Sequence, residues 1–157
     1  MTHTEAASRL AELDAEFWFR VDLLSGTDAE LMFTPEGEYS VDATSSRGRD
    51  AIRHAYELRR AHGPRTSRHL STNFRVVEVK PDRIVGTSIV QIFAHDGTPP
   101  HPAQPMLVAD VADIVELHEG SWLYASRRLS TMFADPSNAP VIPLTSSPQL
   151  AGANTDD

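Results

Sequence analysis

The stretch Thr66-Ser67-Arg68-His69-Leu70-Ser71-Thr72-Asn73-Phe74-Arg75-Val76-Val77 decides the fold, because the hydrophobic period changes here from that of a helix to that of a strand. It predicts a β-strand that carries His69 between basic and apolar neighbours. Helical patterns precede it, and further strand-like runs follow it. Helices followed by antiparallel strands indicate an α+β domain whose helices pack on one side of a curved sheet. A titratable group on such a strand is suited to acid–base chemistry in an apolar pocket.

Two long helices are predicted before this strand. The first runs from just after Thr4 to about Leu24, and the second covers 47–61. In the first helix, apolar residues recur at spacings of three and four and form a stripe that Trp18 and Phe19 widen. The stripe consists of Leu10, Leu13, Phe17, Val21 and Leu24. Between the two helices, Thr27-Asp28-Ala29-Glu30 resembles a capping box that opens a short helix through Phe33.

One short strand and four long strands complete the predicted fold. The short strand is Glu36–Val41, and the long ones cover 68–79, 83–94, 106–117 and 122–133. A stiff loop with four prolines joins the second and third long strands over 95–105. From Asp135 onward the chain has little to bury. We therefore predict one domain, 1–134, and a flexible Pro/Ser-rich tail, 135–157.

The composition excludes several classes of function. The 157 residues carry a formal net charge of −8, which argues against nucleic-acid binding because that requires a basic surface. The chain has no cysteine, so disulfides, thiolate metal sites and cysteine nucleophiles are excluded. No apolar run approaches the roughly 18 residues of a membrane span, and the first residues lack the pattern of a signal peptide. We expect a cytoplasmic protein that does not contact membranes.

Cofactor sites are not predicted either. The seven histidines are scattered, without the spacing of metal ligands. The chain also lacks the glycine-rich motifs that bind nucleotide phosphates. We therefore expect neither a metal nor an organic cofactor.

Four short motifs occur in the order in which a known family has them. They are Asp22 followed eleven positions later by Phe33, the helix start Arg47-Gly48-Arg49-Asp50-Ala51-Ile52, Arg68-His69 with Asn73, and Ser121-Trp122 leading to Arg127-Arg128. With the order of the elements, they make the chain resemble the SnoaL-like and scytalone-dehydratase-like branch of the nuclear-transport-factor-2-like superfamily. The resemblance implies a cone-shaped, antiparallel or mixed sheet with helices on its concave side around an apolar cavity. It also implies a homodimer.

The resemblance leaves the function open. Family members include dehydratases, isomerases, polyketide cyclases and epoxide hydrolases, as well as domains without catalysis. His69 falls on the strand histidine of the family, and Asp22 falls on a helix acid. Dehydratases of this branch often have a Tyr-x-Asp signature three residues before that acid, where this chain has Phe17-Trp18-Phe19. The tyrosine and the acid of the signature are therefore both replaced by phenylalanine.

His69 and Asp113 are the first two catalytic candidates. An unperturbed imidazole titrates near 6.5, which suits proton transfer, although a strand histidine can also be purely structural. Asp113 is a lone carboxylate in the alternating row Leu107, Ala109, Val111, Asp113, Val115, Leu117. It is either a cavity acid that works with His69 or the cross-strand ion-pair partner of Arg127, and the ion pair is favoured. A shift of one residue in register would turn Asp110 inward instead.

Two acids of the first helix are the remaining catalytic candidates. Asp22 points away from the apolar stripe, which favours a solvated acid at the helix end. Asp14 lies at the flank of the stripe and is a cavity candidate. The predicted substrate-binding residues are mostly aromatic, and the Tyr56 hydroxyl would donate to a ligand oxygen. They are Trp18, Tyr39, Tyr56, Asn73, Phe93, Met106, Trp122 and Arg127.

Two hypotheses of function follow. The first is a cofactor-free lyase or isomerase of the dehydratase, ketosteroid-isomerase or cyclase type, which uses histidine acid–base chemistry on a hydrophobic cyclic substrate such as a polyketide, steroid or terpenoid. The second is a non-catalytic, dimeric ligand-binding or assembly module, like the small subunit of a ring-hydroxylating dioxygenase. An acid hydrogen-bonded to His69 beside an open cavity would favour the enzyme. A cavity filled by Trp18 and Phe19 would favour the module.

Overall fold

Two helices pack against one curved, six-stranded sheet in the computed structural model, which describes residues 1–135. Helix α1 (His3–Leu23) begins two residues earlier than predicted, because Thr2 and Glu5 form a capping box. The Thr2 hydroxyl accepts a hydrogen bond from the Glu5 amide at 3.2 Å, and the Glu5 carboxylate accepts one from the Thr2 amide at 2.7 Å. The predicted tail, 135–157, lies outside the described residues except for its first.

The segment after α1 turns sharply towards the second helix. Gly26 has a φ of +77°, and a Cβ there would lie 2.2 Å from the Tyr56 ring, so only glycine fits. The predicted capping box at 27–30 is wrong: Asp28 has a φ of 59° and no side-chain cap. Glu30 instead receives a hydrogen bond from Arg53 at 3.1 Å. The short helix is a single 3-10 turn, Ala29–Met32.

The next segment is a β-hairpin, and the sequence pattern predicted only the first of its two strands. Strand β1 spans Phe33–Val41 and pairs with β2 (Thr44–Arg47), which was not predicted. Strand β2 is short and polar and lies at the edge of the sheet, where an alternating apolar pattern is not required. Because Arg47 pairs with Glu38 in this hairpin, α2 (Arg49–Ala61) starts two residues later than predicted.

The four long strands are confirmed, with modest changes at their ends. They are β3 (Arg65–Lys80), β4 (Arg83–Asp96), β5 (Leu107–His118) and β6 (Ser121–Ala134). The strand order is β2-β1-β6-β5-β4-β3, with β1 parallel to β6 and the other neighbours antiparallel. The sheet stays open, and its concave face carries the core. No helix within residues 1–135 is both long enough and apolar enough to cross a membrane.

Candidate active site

A cavity of about 650 Å³ lies between the concave face of the sheet and the two helices. Its volume is in the range of small-molecule sites. Most of its wall is apolar or aromatic: Trp18, Val21, Tyr39, Val41, Ala55, Tyr56, Ile92, Ala94, Met106, Leu107 and Leu129. Trp18 is buried in the wall, whereas Phe19 is 47% exposed outside it. Trp18 and Phe19 therefore leave the cavity open.

His69 lies in the cavity wall and forms a dyad with Asp22. The His69 Nδ1 and the Asp22 Oδ1 are 2.6 Å apart. Asp22 also accepts a hydrogen bond from the His69 backbone amide at 2.9 Å and one from the Ser67 hydroxyl at 2.7 Å. Helix α1 contributes the acid in its last turn, and β3 contributes the other two residues. Both oxygens of Asp22 are thus committed to holding one histidine.

The charge of Asp22 is maintained despite its burial. Burial on its own would raise the pKa of Asp22, but the hydrogen bonds and charge of His69 and the hydrogen bond of Ser67 outweigh it, and the pKa lies below its usual value. An ionised carboxylate only accepts hydrogen bonds. The His69 Nδ1 therefore carries the proton that bonds to Asp22, and in the neutral ring Nε2 has the free lone pair.

The plane of the His69 ring is set by Trp18. The two rings stack with their centroids 3.8 Å apart and an angle of 5° between their planes. The Trp18 indole nitrogen donates to the Ser71 hydroxyl at 3.1 Å, which secures the indole on the same strand. Within the described residues, Nε2 of His69 has no hydrogen-bond partner. This nitrogen is the one available to a molecule in the cavity.

The interpretation of Asp22 as a solvated acid at the helix end is wrong. Its side chain is only 7% exposed, because β3 crosses the last turns of α1 and covers it. The sequence pattern relates Asp22 only to the apolar stripe of its own helix. The actual neighbours of Asp22 are polar atoms of a strand 47 residues further on. The family resemblance matched both Asp22 and His69 to family positions, and this match was the indication in the sequence that the two residues could interact.

A buried ionic cluster lies beside the cavity and not in its wall. Arg127 is fully buried and forms ion pairs with Asp14 and with Asp113, whose Oδ1 lies 3.8 Å from the Arg127 Nε. Asp113 faces Arg127 across β5 and β6, so the predicted cross-strand ion pair is confirmed and Asp113, not Asp110, points inward. The guanidinium lies 4.8–4.9 Å from the ring centres of Phe17, Trp18 and Tyr124.

This cluster corrects the predicted partners of His69. Asp14 and Asp113 are bound to Arg127, and neither contacts His69. Burial raises the pKa of Asp113 to about 6, although Arg127 opposes the shift. Burial alone would lower the pKa of Arg127, but Asp113 and the other groups around it raise it above its usual value. The cluster anchors α1 to the sheet.

The predicted substrate-binding residues divide into two groups. Trp18, Tyr39, Tyr56 and Met106 line the cavity, whereas Asn73, Phe93, Trp122 and Arg127 do not. Phe93 lies between Ile92 and Ala94, which both face the cavity, so its side chain is on the other face of the sheet. Asn73 is exposed at an irregularity of β3 with a φ of 57°. Trp122 packs half-buried against the core, and Arg127 is buried among aromatic rings.

Two tyrosines supply hydroxyl groups to the cavity. The Tyr39 and Tyr56 rings stack with centroids 6.4 Å apart, and their hydroxyl groups interact. Burial raises the pKa of Tyr39 to about 12, and it raises the pKa of Tyr56 well above its usual value. Both phenols are therefore neutral near pH 7 and can donate hydrogen bonds.

Some cavity residues were missed by the sequence analysis. Ser67 lies two positions before His69 on β3, a spacing that puts both side chains on one face. Arg59, Arg60 and Arg65 come together from the end of α2 and the start of β3. These arginines were not among the predicted site residues, because sequence position alone does not show that they border a cavity.

The fold and site define a small α+β cone with a cavity of ligand size. The model of the SnoaL-like domain matches residues 3–128. The chain therefore belongs to the SnoaL-like domain family. No curated protein matches the chain in sequence.

Solved structures show the same fold. A candidate scytalone dehydratase from Novosphingobium aromaticivorans DSM 12444 is 20% identical, with a TM-score of 0.71 over 84% of this chain and 86% of that one. The β subunit of a candidate aromatic-ring-hydroxylating dioxygenase from the same organism is 14% identical, with a TM-score of 0.71 over 84% and 92%. ActVI-ORFA from Streptomyces coelicolor is 16% identical, with a TM-score of 0.66 over 80% and 96%. At these identities the similarity concerns the fold alone.

Proposed function

We propose that the protein is a cofactor-independent lyase or isomerase that transfers a proton on a hydrophobic cyclic substrate. One observation carries the proposal: the His69–Asp22 dyad, with 2.6 Å between Nδ1 and Oδ1, lies in the wall of a largely apolar cavity of about 650 Å³. A histidine oriented by a buried carboxylate is the usual arrangement of a general base. The apolar wall strengthens each polar contact with a bound substrate.

The proposed mechanism uses three groups. The His69 Nε2 removes a proton from a carbon of the substrate, and the ionised Asp22 stabilises the imidazolium that forms. A Tyr39 or Tyr56 hydroxyl donates to the substrate oxygen on which negative charge develops. His69 then returns the proton, either to a leaving hydroxyl, which gives water and a double bond, or to another carbon, which gives an isomer.

Substitutions at His69 and Asp22 test this proposal. A thermal-shift screen of cyclic metabolites identifies ligands first, because a ligand at a hundred times its dissociation constant stabilises the fold by about 2.7 kcal/mol. For a ligand that is turned over, we expect His69→Gln to lower kcat by about 10²- to 10⁴-fold. We expect Asp22→Asn to lower it as well, because an amide has one accepting oxygen where the site uses two.

Asn73→Ala serves as the control, because Asn73 is exposed on the same strand as His69 and lies outside the cavity. Its kcat should stay within about twofold of the wild type, and circular dichroism should show that all variants fold. Full turnover by His69→Gln on a true substrate would refute the catalytic role of the dyad.

A non-catalytic module is the second candidate function. It is favoured by Phe19, which replaces the acid of the family's Tyr-x-Asp signature and is 47% exposed, and by the fold shared with a dioxygenase β subunit. In this alternative the cavity binds a hydrophobic ligand without turnover, and the chain assembles as a homodimer. Ligands that bind equally well to wild type and His69→Gln and are never converted would favour it.

A further inference from the structure

Three arginines lie at the open end of the cavity. Among the residues that line it, the exposed ones are Ser25, Asp42, Ala43, Arg60 and Pro64, and these mark the mouth. Arg59 and Arg65 lie beside them, on the last turn of α2 and the first residue of β3. The mouth is therefore cationic on one side, whereas the inner wall is mostly apolar.

Arg59 and Arg65 share a single carboxylate. Each has a guanidinium nitrogen 3.1 Å from the same Asp96 oxygen, and their side chains are only 12% and 13% exposed. Burial, followed by the charge of Arg65, lowers the pKa of Arg59. Two cations with one anion between them leave an excess positive charge at the mouth. A second anion would relieve this repulsion.

Asp42 is the acid among the described residues that line the cavity, and it forms no ion pair with the three arginines. Both Asp42 oxygens accept hydrogen bonds from Thr131, at 2.8 Å from its amide and 2.9 Å from its hydroxyl. Arg60 is held by the Ser25 carbonyl at 3.0 Å, which is not an ionic partner. Three guanidinium groups and the two carboxylates, of Asp42 and Asp96, leave one net positive charge. It lies on a chain whose formal net charge is −8.

We infer that the ligand of this cavity is an amphipathic organic anion, whose apolar rings occupy the inner wall and whose carboxylate or phosphate binds to Arg59, Arg60 and Arg65 at the mouth. The inference rests on the proposed function, because it describes the substrate of the same cavity. Guanidinium groups match both oxyanions with paired, charge-assisted hydrogen bonds. The anionic group would remain at the mouth while the ring system reaches His69.

Two fluorescent probes with one ring skeleton test this inference. N-phenyl-1-naphthylamine is neutral, and 1-anilinonaphthalene-8-sulfonate has a sulfonate; both fluoresce strongly in apolar sites. We expect both to bind to the wild type and to displace each other. Arg60→Gln and Arg65→Gln should each weaken the sulfonate probe by about tenfold or more, the usual effect of losing a charge-assisted hydrogen bond. The neutral probe should change by less than about threefold.

Arg9→Gln is the control for net charge, because Arg9 is exposed on α1 and lies outside the cavity. It should leave both affinities unchanged. Arg60→Gln leaves the Asp96 pairs intact, so it remains informative if Arg65→Gln fails to fold. Unchanged affinity for the sulfonate probe in Arg60→Gln, or equal losses for both probes, would overturn the inference and leave the proposed function standing. Failure of both probes to bind to the wild type would overturn both.

Displacement of the sulfonate probe then distinguishes the two kinds of anion. We expect 1-naphthaleneacetate or 1-naphthyl phosphate to compete more strongly than the neutral 2-(1-naphthyl)ethanol. The stronger of the two acids identifies a carboxylate or a phosphate ligand. Equal competition by all three compounds would contradict an anion site.

Discussion

The imidazole of His69 is held from two sides. Asp22 fixes Nδ1 through a hydrogen bond, with its Oδ1 2.6 Å away. Trp18 fixes the plane of the ring by stacking, with the two ring centroids 3.8 Å apart. Each restraint comes from helix α1, whereas the histidine belongs to β3. A ring restrained in this way loses little further freedom when a substrate binds, which favours catalysis by position.

Asp113 provides a prediction of pH-dependent stability. Its pKa is about 6 in the folded protein, against the ordinary value of 3.8. Between these pH values the Asp113 carboxyl is ionised in the unfolded chain but still protonated in the folded protein. The wild type should therefore lose stability relative to Asp113→Asn as the pH rises from about 4 to about 6. A shift of about two units corresponds to about 3 kcal/mol.

Urea unfolding of both proteins at intervals from pH 4 to pH 7.5 measures this difference. Above about pH 6 the difference should stay constant, because Asp113 is then ionised in both states. A stability difference that does not vary with pH across this range would show that Asp113 has an ordinary pKa.

At the level of the elements, helix α1 can pack close to the sheet only because β4 has a glycine, Gly86, at the point of contact. A Cβ on Gly86 would lie 2.3 Å from the Leu10 Cδ1 and 3.2 Å from the Arg75 carbonyl oxygen. Leu10 is 3% exposed and has little room to move. This glycine thus sets the distance between α1 and the sheet, and through it the position of Asp22 and Trp18.

We therefore predict that Gly86→Ala lowers the free energy of unfolding by about 1–3 kcal/mol, the usual cost of overpacking a core. In a Leu10→Ala background the same substitution should cost less, because the clashing methyl group is gone. Urea unfolding of the four proteins of this cycle gives the coupling. Strict additivity would mean that the Leu10–Gly86 contact does not limit the approach of α1.

Element prediction succeeded where one hydrophobic period dominated. Both long helices and the four long strands are confirmed. Strand β2 was missed because an edge strand of Thr, Ser and Arg has no apolar face to detect. The capping box at 27–30 was wrong because Glu30 pairs with Arg53 of α2, a partner that local sequence does not reveal.

For the whole molecule, we predict a homodimer formed through the outer face of the sheet. Phe133 is 72% exposed and pairs with Val108 across β5 and β6. The neighbours of Val108, Leu107 and Ala109, are buried on the inner face, so Val108 and Phe133 face outward. An exposed aromatic residue on the outer face of a sheet is a candidate contact between subunits.

Light scattering at micromolar concentration checks this prediction. The wild type should have the mass of a dimer, and Phe133→Glu should shift it towards the monomer, because a charge would then be buried in the interface. Leu31→Glu is the matched control: Leu31 is 47% exposed, on the 3-10 turn away from the sheet. A monomeric wild type, or an equal effect of both substitutions, would contradict the predicted interface.

Local periodicity and composition were sufficient for the α+β class and the order of the long elements, because these depend on residues close together in the chain. The resemblance to the SnoaL-like family then selected His69 as the candidate. The partner of His69 depended on tertiary structure. Asp22 and His69 are 47 residues apart, and only the crossing of β3 over α1 brings them within 2.6 Å. The same holds for the ion pair of Asp14 with Arg127 and for the arginines at the mouth, since these contacts form between elements that are far apart in the chain.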